Sequence, residues 1–311
     1  MTGIAADIKV RMTTALRAPT HGMAWFALET GIFERHGLDV TFPAIETTGP
    51  EVAAGLMRGD WDFGHTGMLP VAERALKGGD VIALFRHTRP HANTFLATTL
   101  PSLADLQGKR IGVLSDATSG QTGVRVRLML EKAGITASYP GLGSYGNTYK
   151  ALAAGEIEAG ALPVYLRLAG EKQYRWNIFE VPDVGAFVPS VFATTRRMIE
   201  AHRDVVMRVG RAYIATVHAF KTQPDVYIPV LQRFLNITDR GLAEDQYRFY
   251  VPLFERVPRL SLGDGLQSIR DVFAKTYPHA QKLQEREFVD TSVIDELERS
   301  GFIARLYGDS Q

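Results

Sequence analysis

Two copies of one short pattern, set 96 residues apart, restrict what this chain can fold into more than any other feature. Gly59-Asp60-Trp61-Asp62-Phe63-Gly64 and Gly155-Glu156-Ile157-Glu158-Ala159-Gly160 share G-[DE]-x-[DE]-x-G. Each follows an alanine-containing helical stretch and precedes a short strand and a proline-containing turn. The first glycine suits a left-handed helix cap, the acids face solvent across the turn, and the second glycine lets backbone approach closely. A chain that repeats a helix–turn–strand unit in this way folds as two similar α/β lobes.

The surrounding pattern agrees. Strand character at Ile8–Ala15, Leu38–Pro43, Phe63–His65, Val81–His87, Arg110–Leu114, Gly160–Pro163 and Trp176–Pro182 alternates with helical character. The helical stretches are Met23–Phe33, Pro50–Met57, Leu69–Lys77, Gly120–Ala133 and Thr148–Ala154. This order predicts mainly parallel sheets flanked by helices. Beyond Arg196 only helices follow, at Arg197–Lys221, Pro224–Leu235, Ala243–Val251, Gly263–Thr276 and Ser292–Ser300. A length of 311 residues suits two units of roughly 150 residues each.

Composition removes several classes of function. Thirty-five basic against 34 acidic residues, with no run of like charges, offers no basic face for nucleic acid. The absence of cysteine excludes thiolate nucleophiles, disulfides, thiolate-bound zinc and iron–sulfur clusters. No apolar stretch approaches the roughly 18 residues of a membrane span. The start, MTGIAADIKV, carries no signal-peptide pattern, so the protein is periplasmic if a signal peptide has been removed and cytoplasmic if Met1 is the native start.

Several stretches carry a family resemblance: the Pro19-Thr20-His21-Gly22-Met23 turn, ETGIFERHGLDV at 29–40, LMRGDWDFGHTGMLPVAERALKGGDV at 56–81, LADLQGKRIGV at 103–113 and FVDTSVIDELERSGFI at 288–303. In order and spacing they resemble the substrate-binding proteins of ABC transporters, in the branch serving alkanesulfonates, taurine, nitrate and thiamine precursors. The resemblance implies a type II periplasmic-binding-protein fold. Lobe one would comprise residues 1–92 and 191–311, lobe two residues 93–190, and crossover strands would form the hinge. It further implies a monomer that closes on a small-molecule ligand and docks on an ABC permease. No cofactor is implied.

In any open α/β sheet the turns after the strands are where a ligand is held, because helix N-termini converge there with unsatisfied N–H groups. Lobe one offers Thr20, His21, Thr47, His65 and Thr66 in such turns, each also readable as a helix-capping residue. Arg86 and His87 end the strand before the first crossover; Arg86 suits a carboxylate or sulfonate, or an inter-lobe ion pair. Lobe two offers Ser115-Asp116-Ala117-Thr118-Ser119-Gly120 between a strand and a helix, readable as a capping box that protects the first turn or as an anion cradle; the resemblance favours the cradle, with Ser115, Thr118 and Ser119 as the contacts. Gly141-Leu142-Gly143-Ser144-Tyr145-Gly146 matches a dinucleotide fingerprint in letters only, because Pro140 spoils the preceding strand. It aligns instead with the family's ligand loop, putting Tyr145 and Asn147 at the cleft. Tyr165, in the turn after the second repeat, stacks on the ligand or packs the lobe.

Enzymes of this fold that depend on cysteine are excluded. His87 and His91 are separated by Pro90, which argues against a metal site on one helical face. The competing readings are a cytosolic decarboxylase or dehydratase needing only a buried base such as His65 or Asp116, and a ligand sensor lacking a helix-turn-helix. The main expectation is a binding protein for a small organic anion or heteroaromatic molecule.

Overall fold

A computed structural model describes residues 8–89, 94–118, 120–182 and 189–309, without the side chains of residues 165, 168, 169 and 172. Among the described residues nine strands form two sheets. The first contains β1 (Ile8–Thr14), β2 (Leu38–Ile45), β3 (Phe63–Gly67), β4 (Val81–Arg86) and β9 (Ser190–Thr195), in the order β2-β1-β3-β9-β4. β1 runs parallel to β2 and β3, and β9 runs antiparallel to β3 and β4. The second contains β5 (Thr94–Thr98), β6 (Ile111–Gly112), β7 (Ala159–Pro163) and β8 (Asn177–Glu180), in the order β6-β7-β5-β8. Here β6 and β7 are parallel, and β5 is antiparallel to both its neighbours.

In the first lobe the helices are α1 (Met23–Glu29), α2 (Ile32–Arg35), α3 (Gly49–Arg58) and α4 (Met68–Leu76). The second lobe has α5 (Gln121–Lys132), α6 (Tyr145–Ala153) and α7 (Val164–Tyr174). After β9 come α8 (Arg196–Ala201), α9 (Arg203–Thr222), α10 (Pro224–Leu235), α11 (Arg240–Tyr250), α12 (Gly265–Phe273), α13 (Ser292–Arg299) and α14 (Phe302–Leu306). These pack back onto the first sheet, where Phe26, Phe63, Phe85, Phe192, Tyr213 and Phe220 share one core. In lobe two the pleat sends Leu96 to one face with Val126 and Leu130 of α5, and Ala97 to the other with Leu152 and Trp176. Among the described residues no helix is long and apolar enough to cross a membrane.

The two copies of the repeat fold alike. Gly59 and Gly155 sit at φ 78° and 73°, a conformation that other residues adopt only at a cost. Asp60 N–H reaches back to Gly55 O at 2.9 Å, and Glu156 N–H to Ala151 O at 2.9 Å, closing the same helix end. The expectation that both acids face solvent holds only for the first of each pair. Asp62 accepts the backbone N–H of Arg11 at 2.8 Å and Glu158 that of Arg110 at 3.0 Å, so the second acid stitches each turn to a neighbouring strand. A Cβ on Gly64 would lie 2.6 Å from Val52 Cγ1, and one on Gly160 2.9 Å from Thr148 Cγ2, so each helix presses on its strand where only glycine fits.

Several boundaries differ from the sequence reading. Met23–Phe33 is broken at Gly31, which is left-handed, and Arg197–Lys221 is broken at His202, so each is two helices. α6 begins at Tyr145, three residues earlier than the periodicity predicts, because Ser144 caps it by accepting Asn147 N–H at 3.0 Å. Arg110–Leu114 pairs in the sheet at Ile111 and Gly112 and touches 138–141 through single bridges. β5 and β9 have no counterpart among the strands expected from the sequence.

Candidate functional site

The carboxyl ends of four parallel strands converge on a cavity of about 50 Å³. Ala15 follows β1, Gly67 ends β3, Ser115 follows β6 and Pro163 ends β7. Parallel strands and right-handed crossovers put helix N-termini at this end of each sheet, so both lobes turn their polar edge toward the same space.

Lobe two contributes most of the charge. α5 enters the cavity with Gly120 as its N-cap, and glycine supplies no side-chain acceptor for the first-turn N–H groups. One turn along, Arg125 lines the cavity while only 5% exposed. It donates from Nη2 to Val181 O at 2.8 Å and from Nε to Pro182 O at 3.2 Å, which ties α5 to the segment returning to lobe one. Thr122 Oγ1 and Tyr145 OH are 3.1 Å apart at the cavity wall. Burial raises the Tyr145 pKa, and the Thr122 bond and the Arg125 charge only partly offset it. Tyr250, brought in by α11, is also pushed up by burial, and then by Tyr145. Both phenols are therefore neutral hydrogen-bond donors at pH 7.

Lobe one adds Thr20 and His21, both buried. Thr20 Oγ1 lies 3.0 Å from His21 Nδ1, and His21 Nε2 has no partner. Burial lowers the His21 pKa to about 3, so the ring is neutral. The cavity thus presents one buried guanidinium, two phenols, hydroxyls and a neutral imidazole. That set complements a small acceptor-rich or anionic group.

Of the residues singled out in the sequence, Thr20, His21, Ser115 and Tyr145 line this cavity. The others are occupied elsewhere. His65 is wholly buried in a central strand, where Nε2 accepts Ala24 N–H at 3.3 Å and Nδ1 lies 2.8 Å from His87 Nε2. Thr66 Oγ1 donates to Gly49 O at 3.1 Å. Arg86 pairs with Glu255, both in the first lobe, and not across the lobes. Thr118 is exposed, and its hydroxyl and N–H bond the Asp116 carboxylate. Asn147 Nδ2 donates to Leu142 O at 2.9 Å, on an outer groove. The Thr47 hydroxyl is buried without a partner and does not line the cavity. Ser119 and the Tyr165 side chain lie outside the described residues.

The sequence reading did not single out Gln121, Thr122, Arg125 or Tyr250. Thr122 and Arg125 stand three apart on the helix after the proposed anion cradle, so a helical reading carried one turn further would have found them. Tyr250 has no local signal, since it depends on how α11 folds back. Among the described residues no group of three or more His, Asp or Glu is placed to hold a metal ion.

The lobes touch beside the cavity. Gln121 Oε1 accepts Met68 N–H at 2.9 Å, so a lobe-two side chain caps the first turn of α4 in lobe one. Gly67 makes room for it, since a Cβ there would fall 2.5 Å from Gln121 Oε1.

Comparison with known proteins follows the same lines. Residues 18–226 match the family described as NMT1/THI5-like. No protein of curated function matches the sequence. Among solved structures, the alkanesulfonate-binding protein SsuA from Xanthomonas axonopodis pv. citri, bound to MOPS, is 19% identical with a TM-score of 0.71, covering 93% of this chain and 100% of that one. The periplasmic aliphatic sulphonate binding protein SsuA from Escherichia coli is 16% identical with a TM-score of 0.66, covering 91% and 92%. A ligand-binding component of an ABC-type import system from Staphylococcus aureus, with zinc bound, is 13% identical with a TM-score of 0.71, covering 93% and 99%. At these identities the likeness establishes the two-lobed fold.

Proposed function

The chain belongs to the NMT1/THI5-like family, and we propose that it is a solute-binding protein, one that closes its lobes on a small organic anion or heteroaromatic solute and delivers it to an ABC importer. The observation that carries this reading is Arg125, a buried cation lining the inter-lobe cavity beside the N-terminus of α5, whose N-cap is a glycine. A helix N-terminus and a guanidinium both favour negative charge, and both are strongest where water is excluded. Thr20, His21, Ser115, Thr122, Tyr145 and Tyr250 would supply neutral hydrogen bonds that fix orientation.

The moving halves would be residues 1–92 with 191–311, and residues 93–190. This division is supported by β5–β8 pairing only with one another and by β9 returning to the first sheet. Ligand contacts from both halves favour the closed form by their differential affinity. The solved relatives support the transport role: one is a component of an ABC-type import system and another is periplasmic, which is where we place this protein. A permease is the proposed partner, and the monomer is the proposed working form.

A thermal-shift screen against alkanesulfonates, nitrate, aromatic carboxylates and pyrimidines tests the reading, because a ligand that binds only the folded state raises its melting temperature. A shift of several degrees with an anionic member supports it. No shift with any member, together with turnover of a soluble metabolite, would overturn it in favour of an enzyme.

A further inference from the structure

At the end of the first sheet opposite the cavity, an open groove of about 670 Å³ lies between the turn joining α2 to β2 and the start of α9. Gly37 lines it, and Gly37 O accepts Ile8 N–H where β1 and β2 begin. The cavity lies beyond the far ends of these strands, so the length of β1, roughly 20 Å, separates the two spaces. Four arginines line the groove: Arg35, Arg203, Arg208 and Arg211.

The charges on this groove do not balance. Arg203 is answered by Glu296 at 2.8 Å. Arg35, Arg208 and Arg211 form no ion pair with a described residue, and Asp204 is the one other carboxylate on the lining. Elsewhere in the chain arginines are matched by acids, as Arg11 is by Asp62, Arg233 by Glu29 and Arg240 by Glu244. Arg208 and Arg211 stand three apart on α9 and share a face, so their like charges repel. Arg208 is nonetheless held in place: its Nη1 donates to His36 O at 3.0 Å, and a Cβ on Gly37 would fall 2.6 Å from that same nitrogen. Arg211 is half-buried and has no hydrogen-bond partner among the described residues. Burial and then the charges of Arg211, Arg35 and Arg208 lower the pKa of His36, so all three guanidinium groups lie within electrostatic reach of one ring on the groove wall.

We propose that this groove is a second anion site, separate from the solute cavity, which takes a compound with two linked phosphate groups. A lone carboxylate offers one charge and answers one guanidinium. A diphosphate offers several charges and oxygens on all sides, and so answers Arg35 from one wall and Arg208 and Arg211 from the other. Asp204 opposes any anion here, which favours a ligand of high charge over a weakly charged one. The proposal is independent of what the cavity at Arg125 binds.

Isothermal titration of the full chain with inorganic pyrophosphate, orthophosphate and sulfate tests it. Pyrophosphate should bind about tenfold tighter than sulfate at low ionic strength, and should weaken as salt is added. Arg208→Gln with Arg211→Gln should reduce pyrophosphate affinity about thirtyfold, and Arg35→Gln, at an exposed position on α2, about fivefold. Asp204→Asn should raise it about two- to threefold, a gain that a folding defect cannot imitate. Pyrophosphate that binds no tighter than sulfate, an affinity unmoved by the arginine substitutions, or one that does not rise in Asp204→Asn would overturn the second site and leave the cavity reading untouched.

Discussion

His65 Nδ1 lies 2.8 Å from His87 Nε2, and neither ring reaches solvent. Because His65 Nε2 already accepts Ala24 N–H, the proton of the neutral ring sits on Nδ1 and is donated to His87. His21 stands edge-on to His87 with ring centroids 4.7 Å apart, so three imidazoles share one buried region between β3, the end of β4 and the turn after β1.

Acidification should therefore destabilise the protein. Burial holds His65 and His87 well below their ordinary pKa and His21 at about 3, while each titrates near 6.5 once unfolded. The unfolded chain binds protons the folded one refuses, so stability is complete above about pH 6.5 and is lost as pH falls. The slope is roughly 1.4 kcal/mol per pH unit for each imidazole below about pH 6. Urea midpoints measured from pH 7.5 to 5 should fall steeply, and a flat profile would show that these rings are not buried neutral.

His65→Ala should lower stability by about 2–4 kcal/mol, since it opens a cavity and strips Ala24 N–H and His87 of their partner. The solute affinity of the folded fraction should change little, because His65 does not line the cavity. Melting curves and titration of the same sample separate the two effects.

The Gln121–Met68 bond joins the two lobes, with Met68 N–H shared between Gln121 Oε1 at 2.9 Å and Pro189 O at 3.1 Å. Gln121→Ala should weaken solute binding about five- to tenfold by removing a contact made only when the lobes meet. Gly67→Ala should do the same by displacing the Gln121 amide. The double variant should be no worse than either single one, since both break one interaction. Additive losses would place Gln121 outside the closure contact.

Asp62→Ala and Glu158→Ala should each cost about 1 kcal/mol, because the two acids hold equivalent strand N–H groups in the two copies of the repeat. Chemical denaturation of both variants checks this, and a silent substitution at either site would break the structural equivalence.

Much of this architecture is legible in the sequence. The strand–helix alternation, the repeat and the cradle between β6 and α5 all rest on local periodicity and turn chemistry. What escaped depends on packing. Thr118 has the right chemistry in the right turn, but Asp116 two residues away captures its hydroxyl and N–H. His65 ends the strand Phe63–His65 expected from the sequence, the usual place for a ligand residue, yet it is the middle residue of β3, which lies between β1 and β9 and is buried throughout. Arg125 reads as an ordinary helical arginine until the fold buries it, and Tyr250 reaches the cavity from a helix more than a hundred residues further along the chain.

Titration of Arg125→Met beside the unaltered protein, using whichever anion gives the largest thermal shift, is the decisive measurement. Loss of the buried guanidinium should reduce affinity by about a hundredfold, with Arg125→Lys recovering part of it because charge is kept while the planar fork is lost. Equal affinity in the unaltered protein and Arg125→Met would contradict an anion site at this cavity.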